Sequence, residues 1–338
     1  MSSTDLESRL ARALAPFLER ATAPVLLAVS GGPDSTALMH AAARLGAPEG
    51  LFLATVDHGL RAGSAEEAAD VGRLADKLGL PHAVLTWDAP RREGRVQAEA
   101  RAARYRLLAH HAKGIGADRI LTAHTRDDQA ETVLMRLLAG SGPAGLAGMR
   151  SERMIGEGLR LLRPFLALPK ADLVAYCTAH GLPFVRDPSN ADERFARARL
   201  RRLLPLLEGE GLSPDRLARL AARIARNEAA LASRAATVLA EVCLAREGEG
   251  LILDGSRLAR EPEAIVLRVL DAALGQDDAA PPRRLERLEA LVLDGILPAL
   301  ARGEALRRTL RDRIVSVGPS GRIRLTPAPP RRRVAPRK

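Results

Sequence analysis

Residues 25–38 read VLLAVSGGPDSTAL, a strand, a turn and a helix joined in one run. Val25 to Val29 are continuously apolar, the pattern of a strand covered on both faces of a parallel sheet. Gly31 and Gly32 let the backbone turn and approach a ligand with no Cβ in the way, and Pro33 opens a helix where a missing N–H costs nothing. Amides of the glycine turn then converge with the free N–H groups and positive dipole end of the helix, and together they make an anion site. Phosphate is the expected occupant, with the hydroxyls of Ser30 and Ser35 as further donors. Neither G-x-x-x-x-G-K-[ST] nor G-x-G-x-x-G is present, which excludes an ordinary P-loop and a dinucleotide fingerprint. Asp34 stands beside the anion site instead, where a bare carboxylate repels phosphate unless a divalent cation lies between them. That combination points to Mg²⁺ with pyrophosphate.

Working outward, apolar runs at Val25 to Val29, Leu51 to Val56, Ala83 to Trp87 and Arg119 to Ala123 alternate with helical stretches up to about residue 140. This rhythm predicts an α/β fold with a doubly wound parallel sheet, its ligands lying beyond the carboxyl ends of the strands. Asp57 and His58 follow the second strand, and Asp127 and Asp128 follow the fourth. Ser64 and Glu67 have capping-box spacing for the helix after the second strand. Asp127 and Asp128 suit the positive end of a helix, but strand-end placement also sets them across the switch point from Asp34. Two carboxylates from different loops are a common way to hold Mg²⁺ against phosphates, and Asp128 is the better candidate. A helix from Val96 to His111 carries Val96, Ala100, Ala103 and Leu107 on one stripe, with Gln97, Arg101, Arg104 and Tyr105 on another. Two arginines one turn apart suit a phosphate grip.

The 338 residues exceed one ordinary domain. Alanine supplies much of the 46% apolar content and only 2% is aromatic, so helices packed through small side chains are expected. A net charge of +11, with five positive charges in the final RRRVAPRK, fits a nucleic-acid partner. No run approaches the ~18 apolar residues of a membrane helix. The amphipathic, acid-bearing N-terminus MSSTDLESRLARALAPFLERA reads as a surface helix of a cytoplasmic protein, not a secretion signal. Cys177 and Cys243 form no C-x-x-C, so neither a disulfide framework nor a metal cluster is indicated. Arg194, Arg197, Arg199, Arg201 and Arg202 make an acid-free basic run suited to RNA. Ser213-Pro214-Asp215 starts a long helix to about Val242, a connector. Strand-like Leu251 to Leu253, two helical segments and a β-like tail over Arg313 to Leu325 follow. The expected organisation is a catalytic domain over residues 1–210, a linker helix over 211–245, and a small, mostly helical C-terminal domain over 246–338 with a basic tail.

SGGPDS, residues 30–35, resembles the SGGxDS signature of the PP-loop (N-type) ATP pyrophosphatases. VDHGLR from Val56, QAEARAARY from Gln97, AHTRDDQAET from Ala123, and DPSN from Asp187 with RARLRRLLP from Arg197 resemble words of one branch, the tRNA(Ile)-lysidine synthases. Gln97, Ala123 and Ala198 stand where that branch has glutamate, glycine and asparagine. The words keep the family's order over roughly residues 25 to 205. The resemblance implies a PP-loop, adenine nucleotide alpha hydrolase-like fold. It implies ATP at Ser30, Gly31, Gly32, Pro33, Asp34, Ser35, His58 and His124, and Mg²⁺ on Asp34 and Asp128. Arg104 would be the catalytic arginine beside those two acids, with a site role for His58 or Arg61. Arg194, Arg197 and Arg201 would contact tRNA. The implied reaction joins L-lysine to the wobble cytidine of an isoleucine tRNA with a CAU anticodon, through an adenylated base, releasing AMP and pyrophosphate. The rivals are a PP-loop tRNA thiolase, which needs cysteines that this chain does not arrange in a motif, and a non-catalytic nucleotide- and RNA-binding protein.

Overall fold

The structure, a computed structural model, describes residues 3–19, 21–45, 50–59, 63–87, 96–185, 196–275 and 285–329. Arg61, Arg194, residues 187–190, the basic tail and the side chains of Val96 and Gln97 lie outside the described residues. Two compact units divide the chain, Met1–Gly140 with Gly145–Ala222, and Ser141–Ala144 with Arg223–Lys338.

In the first unit the elements run α1 (Ser3–Leu18), β1 (Val25–Ala28), α2 (Pro33–Arg44), β2 (Leu51–Asp57), α3 (Ser64–Lys77), β3 (His82–Thr86), α4 (Val96–Gly114), β4 (Arg119–Leu121) and α5 (Arg126–Leu138). Then come α6 (Pro143–Leu146), β5 (Glu152–Gly156), β6 (Leu159–Leu162), α7 (Lys170–Ala179) and α8 (Ala196–Gly209). The long helix α9 (Pro214–Val242) follows, its first turn capped by Ser213 Oγ, which accepts from the Arg216 N–H at 3.3 Å. The sheet order is β3-β2-β1-β4-β6-β5, with β1 to β4 and β6 parallel and β5 antiparallel at the edge. Leu27 on β1 lies beside Leu53 on β2 and Leu121 on β4. The order therefore reverses at β1, which opens a crevice beyond the carboxyl ends of β1 and β4.

Both faces of the sheet are covered, and this explains the unbroken apolar run of β1. Val25 and Leu27 enter one core with α1, α2 and α7, while Leu26 enters the opposite core with Leu108 and Ala112 of α4. On α4 the buried stripe is Ala100, Ala103, Leu108 and Ala112, so Leu108 takes the place expected for Leu107. Ser64 is also not a helix cap. The residue before α3 is Gly63, in a left-handed conformation at φ 93°, and the Ser64 hydroxyl bonds to Asp57 instead. The expected surface helix α1 is more deeply packed than its polar face suggests: Leu6, Leu10, Leu14 and Leu18, four apart, are all buried. Leu10→Ala is therefore expected to lower stability by about 2–5 kcal/mol in urea denaturation, and a loss below about 1 kcal/mol would show that α1 is peripheral.

The second unit keeps the expected helices and adds to them a sheet that the sequence reading did not anticipate. It contains β7 (Cys243–Glu247), β8 (Gly250–Asp254), α10 (Gly255–Leu258), α11 (Glu263–Ala273), α12 (Leu285–Leu291), α13 (Leu297–Arg302), β9 (Leu306–Leu310), β10 (Arg313–Val317) and β11 (Arg322–Pro327), with a π-helical turn at Val292–Ile296. The strands form one antiparallel sheet in the order β7-β8-β11-β10-β9. Leu251 and Leu253, Val315 and Val317, and Ile323 and Leu325 alternate into a single core with α11 and α12, while Arg322 and Arg324 point away from it. β9 reads LRRTL, with two adjacent arginines and neither an apolar run nor a strict alternation, which is why it is not visible in the sequence.

Candidate active site

The loop after β1 is built to present amides. Gly31 has φ 79°, and a Cβ there would meet Val71 Cγ2 at 3.3 Å, so both conformation and space select glycine. Its carbonyl accepts from the Val185 N–H at 2.9 Å. Gly32 is the N-cap of α2 with no side chain to cap the helix, and Pro33 is the first helical residue. The first-turn amides of Asp34 and Ser35 consequently have no intrahelical acceptor, and both residues line the crevice. The Ser35 hydroxyl accepts from the Ser30 N–H at 3.1 Å and lies 3.1 Å from the Gly32 carbonyl, to which it donates. Ser35 is thus a buried brace of the loop, and Ser30, its hydroxyl 3.3 Å from that of Ser35, is the exposed one of the two.

Three acids and one lysine meet at the end of the crevice. Thr125 caps α5, and Asp128 closes a capping box by accepting through Oδ2 from the Thr125 N–H at 2.8 Å and from its hydroxyl at 3.0 Å. Asp127 turns the other way and accepts from the Lys170 backbone N–H at 2.8 Å. The Lys170 ammonium in turn pairs with Asp34 Oδ2, while Asp34 Oδ1 is buried with no partner. Burial raises the Asp34 pKa, Lys170 opposes that, and the charges of Asp128 and Asp127 add to it. Among the described residues, no three His, Cys, Asp or Glu side chains are grouped to hold a metal by themselves. An orphaned carboxylate oxygen with a second acid nearby fits Mg²⁺, which takes one or two protein carboxylates and completes its shell with phosphate and water.

A cavity of about 350 Å³ opens beside these groups, a size suited to a small-molecule ligand. Ser30, Gly32, Asp34, Ser35, Arg104, His124, Asp128, Lys170, Arg197 and Arg201 line it, and the small Ala28, Ala54 and Ala123 leave it room. Arg104 reaches His58, its Nε and Nη2 lying 3.3 and 3.2 Å from His58 Nε2. The imidazole must then be neutral and accept at Nε2; burial and the Arg104 charge hold its pKa below the usual value. His58 stands edge-on to Trp87 at 5.7 Å and backs Arg104 without lining the cavity. Arg201 extends to Glu131, Nε to Oε1 at 2.5 Å, a carboxylate that is 2% exposed. Burial raises the Glu131 pKa and Arg201 opposes it.

The description PP-loop domain belongs to a family model that matches residues 2–207. The tRNA(Ile)-lysidine synthase of Methylobacterium sp. (strain 4-46) is 57% identical over 96% of this chain and 95% of that protein. The chain belongs to the tRNA(Ile)-lysidine synthases. That of Rhodopseudomonas palustris (strain ATCC BAA-98 / CGA009) is 44% identical over 98% of this chain and 99% of its own length. Members of this family are ligases of the PP-loop type that use ATP. A U34-tRNA thiolase from Methanococcus maripaludis with a [4Fe-4S] cluster superposes with a TM-score of 0.56 at 14% identity, covering 66% of this chain and 79% of that one. At that identity the likeness is one of fold alone. No helix among the described residues is long and apolar enough to cross a membrane.

Within this lysidine synthase fold, Ser30, Gly32, Asp34, Ser35, Arg104, His124, Asp128, Arg197 and Arg201 come together around one cavity, Gly31 and Pro33 belong to the same loop without lining it, and His58 stands behind it. Cys177 lies under the loop and donates to the Pro33 carbonyl at 3.3 Å; burial pushes its pKa up to about 12, so it is an inert neutral thiol. Lys170 is the site residue that motif reading missed. A signal was present, since a cation in the first turn of a helix opposes the dipole and needs an acidic partner or a ligand to hold it there. His124 is held 2.9 Å from the Thr122 hydroxyl, and burial lowers its pKa to about 4. The native chain therefore binds fewer protons than the unfolded chain between pH 6.5 and 4, and stability falls as pH drops through that window. His58 acts in the same direction, so the comparison that isolates His124 is His124→Gln, whose loss of stability from pH 7 to pH 4 should be smaller by about 1–3 kcal/mol in urea titrations. Equal losses in both chains would remove His124 from the account.

Proposed function

We propose that this chain joins L-lysine to the wobble cytidine of an isoleucine tRNA with a CAU anticodon, through an adenylated base. The observation that carries the reading is that one cavity holds the glycine loop, the half-buried Asp34 with its orphaned oxygen, Asp128 and Arg104. An amide-like oxygen on cytosine is a poor leaving group until it carries a phosphoryl group, so the first requirement is a site that supports charge moving onto pyrophosphate. The loop amides and the Ser30 hydroxyl hold the terminal phosphates of ATP. Asp34 and Asp128 would hold Mg²⁺, which would supply charge neutralisation to the phosphates. Arg104, kept in place by the neutral His58, donates to the α-phosphate region, and His124, neutral by burial, serves as a hydrogen-bonding wall with no charge to disturb. The lysine amine then displaces AMP from the activated base. A cytoplasmic location, where tRNA and lysine are at hand, belongs to the same reading.

Arg197, on the cavity wall, is proposed to meet tRNA phosphate, together with Arg194 and the basic tail. Residues 246–338 are proposed to position the tRNA, since phosphate contacts orient a nucleic acid without reading it. Affinity for tRNA should then fall steeply with salt, and Arg197→Ala should flatten the slope of log K against log salt by about one unit. An unchanged slope would remove Arg197 from the interface. The reading as a whole is tested by ATP–pyrophosphate exchange. Exchange should require tRNA and proceed without lysine, and exchange that requires lysine but not tRNA would mean that the amino acid, not the base, is adenylated.

A further inference from the structure

We infer that Lys170 is a built-in counter-ion for Asp34, and that it yields the carboxylate to the divalent cation and passes to a phosphate of ATP when nucleotide binds. The inference rests on the reading of Asp34 as a metal ligand, and it adds a positioning residue that the motifs do not contain. Four observations lead to it. The Lys170 ammonium pairs with Asp34 Oδ2 and also lines the cavity, so it reaches the ligand space from where it stands. Its backbone N–H is fixed on Asp127, which anchors the base of the side chain, and the side chain beyond it is 42% exposed. Lys170 is the first residue of α7, where the helix dipole disfavours a cation, so the ammonium is held by acids and phosphates and not by its own helix. Asp34 meanwhile keeps a second oxygen without a partner, so the lysine satisfies only half of the carboxylate.

A carboxylate in a half-enclosed cavity with two more acids near it needs a positive charge at all times. Without nucleotide, the covalently tethered ammonium provides it at no cost in concentration. With nucleotide, a divalent ion held jointly by Asp34, Asp128 and phosphate is the stronger partner, and the displaced ammonium has phosphate oxygens within its sweep. Such an exchange makes metal and nucleotide bind together, because metal alone must compete with the lysine and nucleotide alone must face bare acids. The site then stays closed to free cations until ATP arrives.

The test uses the full chain and Lys170→Met, which keeps the length and removes the charge, with Asp34→Asn as reference. Binding of Mn²⁺ without nucleotide, followed by electron paramagnetic resonance, is expected to tighten about tenfold in Lys170→Met. Binding of ATP in the presence of Mg²⁺, followed by calorimetry, is expected to weaken about tenfold or more in the same variant. A merely structural role would weaken both together, and that result overturns the inference. Asp34→Asn should weaken Mn²⁺ binding. If it does not, the metal reading itself fails; if it does and Lys170→Met leaves Mn²⁺ binding unchanged, only the exchange fails. Circular dichroism establishes folding first, and Lys170→Gln takes the same measurements should the methionine variant not fold.

Discussion

Asp34→Asn is expected to reduce pyrophosphate release by at least about 10³-fold while leaving the fold intact. Asparagine keeps the shape and one acceptor but removes the charge, and the charge is what the site requires. Asp34 lies in the first turn of α2 with its carboxylate already short of partners, so its loss costs little packing. Asp128→Asn should behave similarly for a partly different reason. Its Oδ2 closes the capping box on Thr125, so alanine there would remove both the cap, at about 1 kcal/mol, and the charge. Asparagine retains an acceptor for Thr125 and isolates the charge. Near-normal pyrophosphate release by either asparagine variant, measured with purified protein and tRNA, would remove that acid from the chemistry.

Arg201→Met carries the largest expected effect on stability. Glu131 is 2% exposed, and Arg201 is the cation that its Oε1 meets at 2.5 Å. Removing the guanidinium leaves a buried carboxylate whose partner is gone, which costs about 3–5 kcal/mol. The double variant Glu131→Gln with Arg201→Met should recover much of the loss, because a neutral amide is cheaper to bury than an orphaned charge. This outcome separates two roles for the arginine. If Arg201→Met were nearly neutral in urea denaturation and instead lowered tRNA affinity with a flatter salt slope, Arg201 would be a phosphate contact and its pairing with Glu131 incidental.

What the sequence made legible follows from how local each signal is. The strand, glycine turn and helix of residues 25–38 carry their meaning within one run, so the loop, the crevice and the place of Asp34 could be read directly. Asp128 could be placed by the strand before it, but its part in a capping box depends on Thr125 taking the N-cap, which the placement of β4 decides. The basic run of α8 was legible as charge and not as partner: Arg201 turns to Glu131, seventy positions away, and no spacing rule connects them. Lys170 is 136 positions from Asp34, and only the packing of α7 on α2 brings the two together. In the second unit, the strand Leu306–Leu310 has leucine only at its two ends with Arg307, Arg308 and Thr309 between, so it sits between the patterns of a strand and of a solvated loop until the neighbouring strand defines the sheet.

The most direct test of the central claim is the mass of the wobble nucleoside. Isoleucine tRNA with a CAU anticodon, incubated with this chain, ATP, Mg²⁺ and L-lysine, is digested to nucleosides and compared with the untreated tRNA. The account predicts that the cytidine gains lysine less one water, in step with AMP and pyrophosphate, and that omitting lysine stops the gain while pyrophosphate exchange continues. A wobble cytidine that gains sulfur, or stays unmodified while ATP is cleaved to ADP and phosphate, would contradict it.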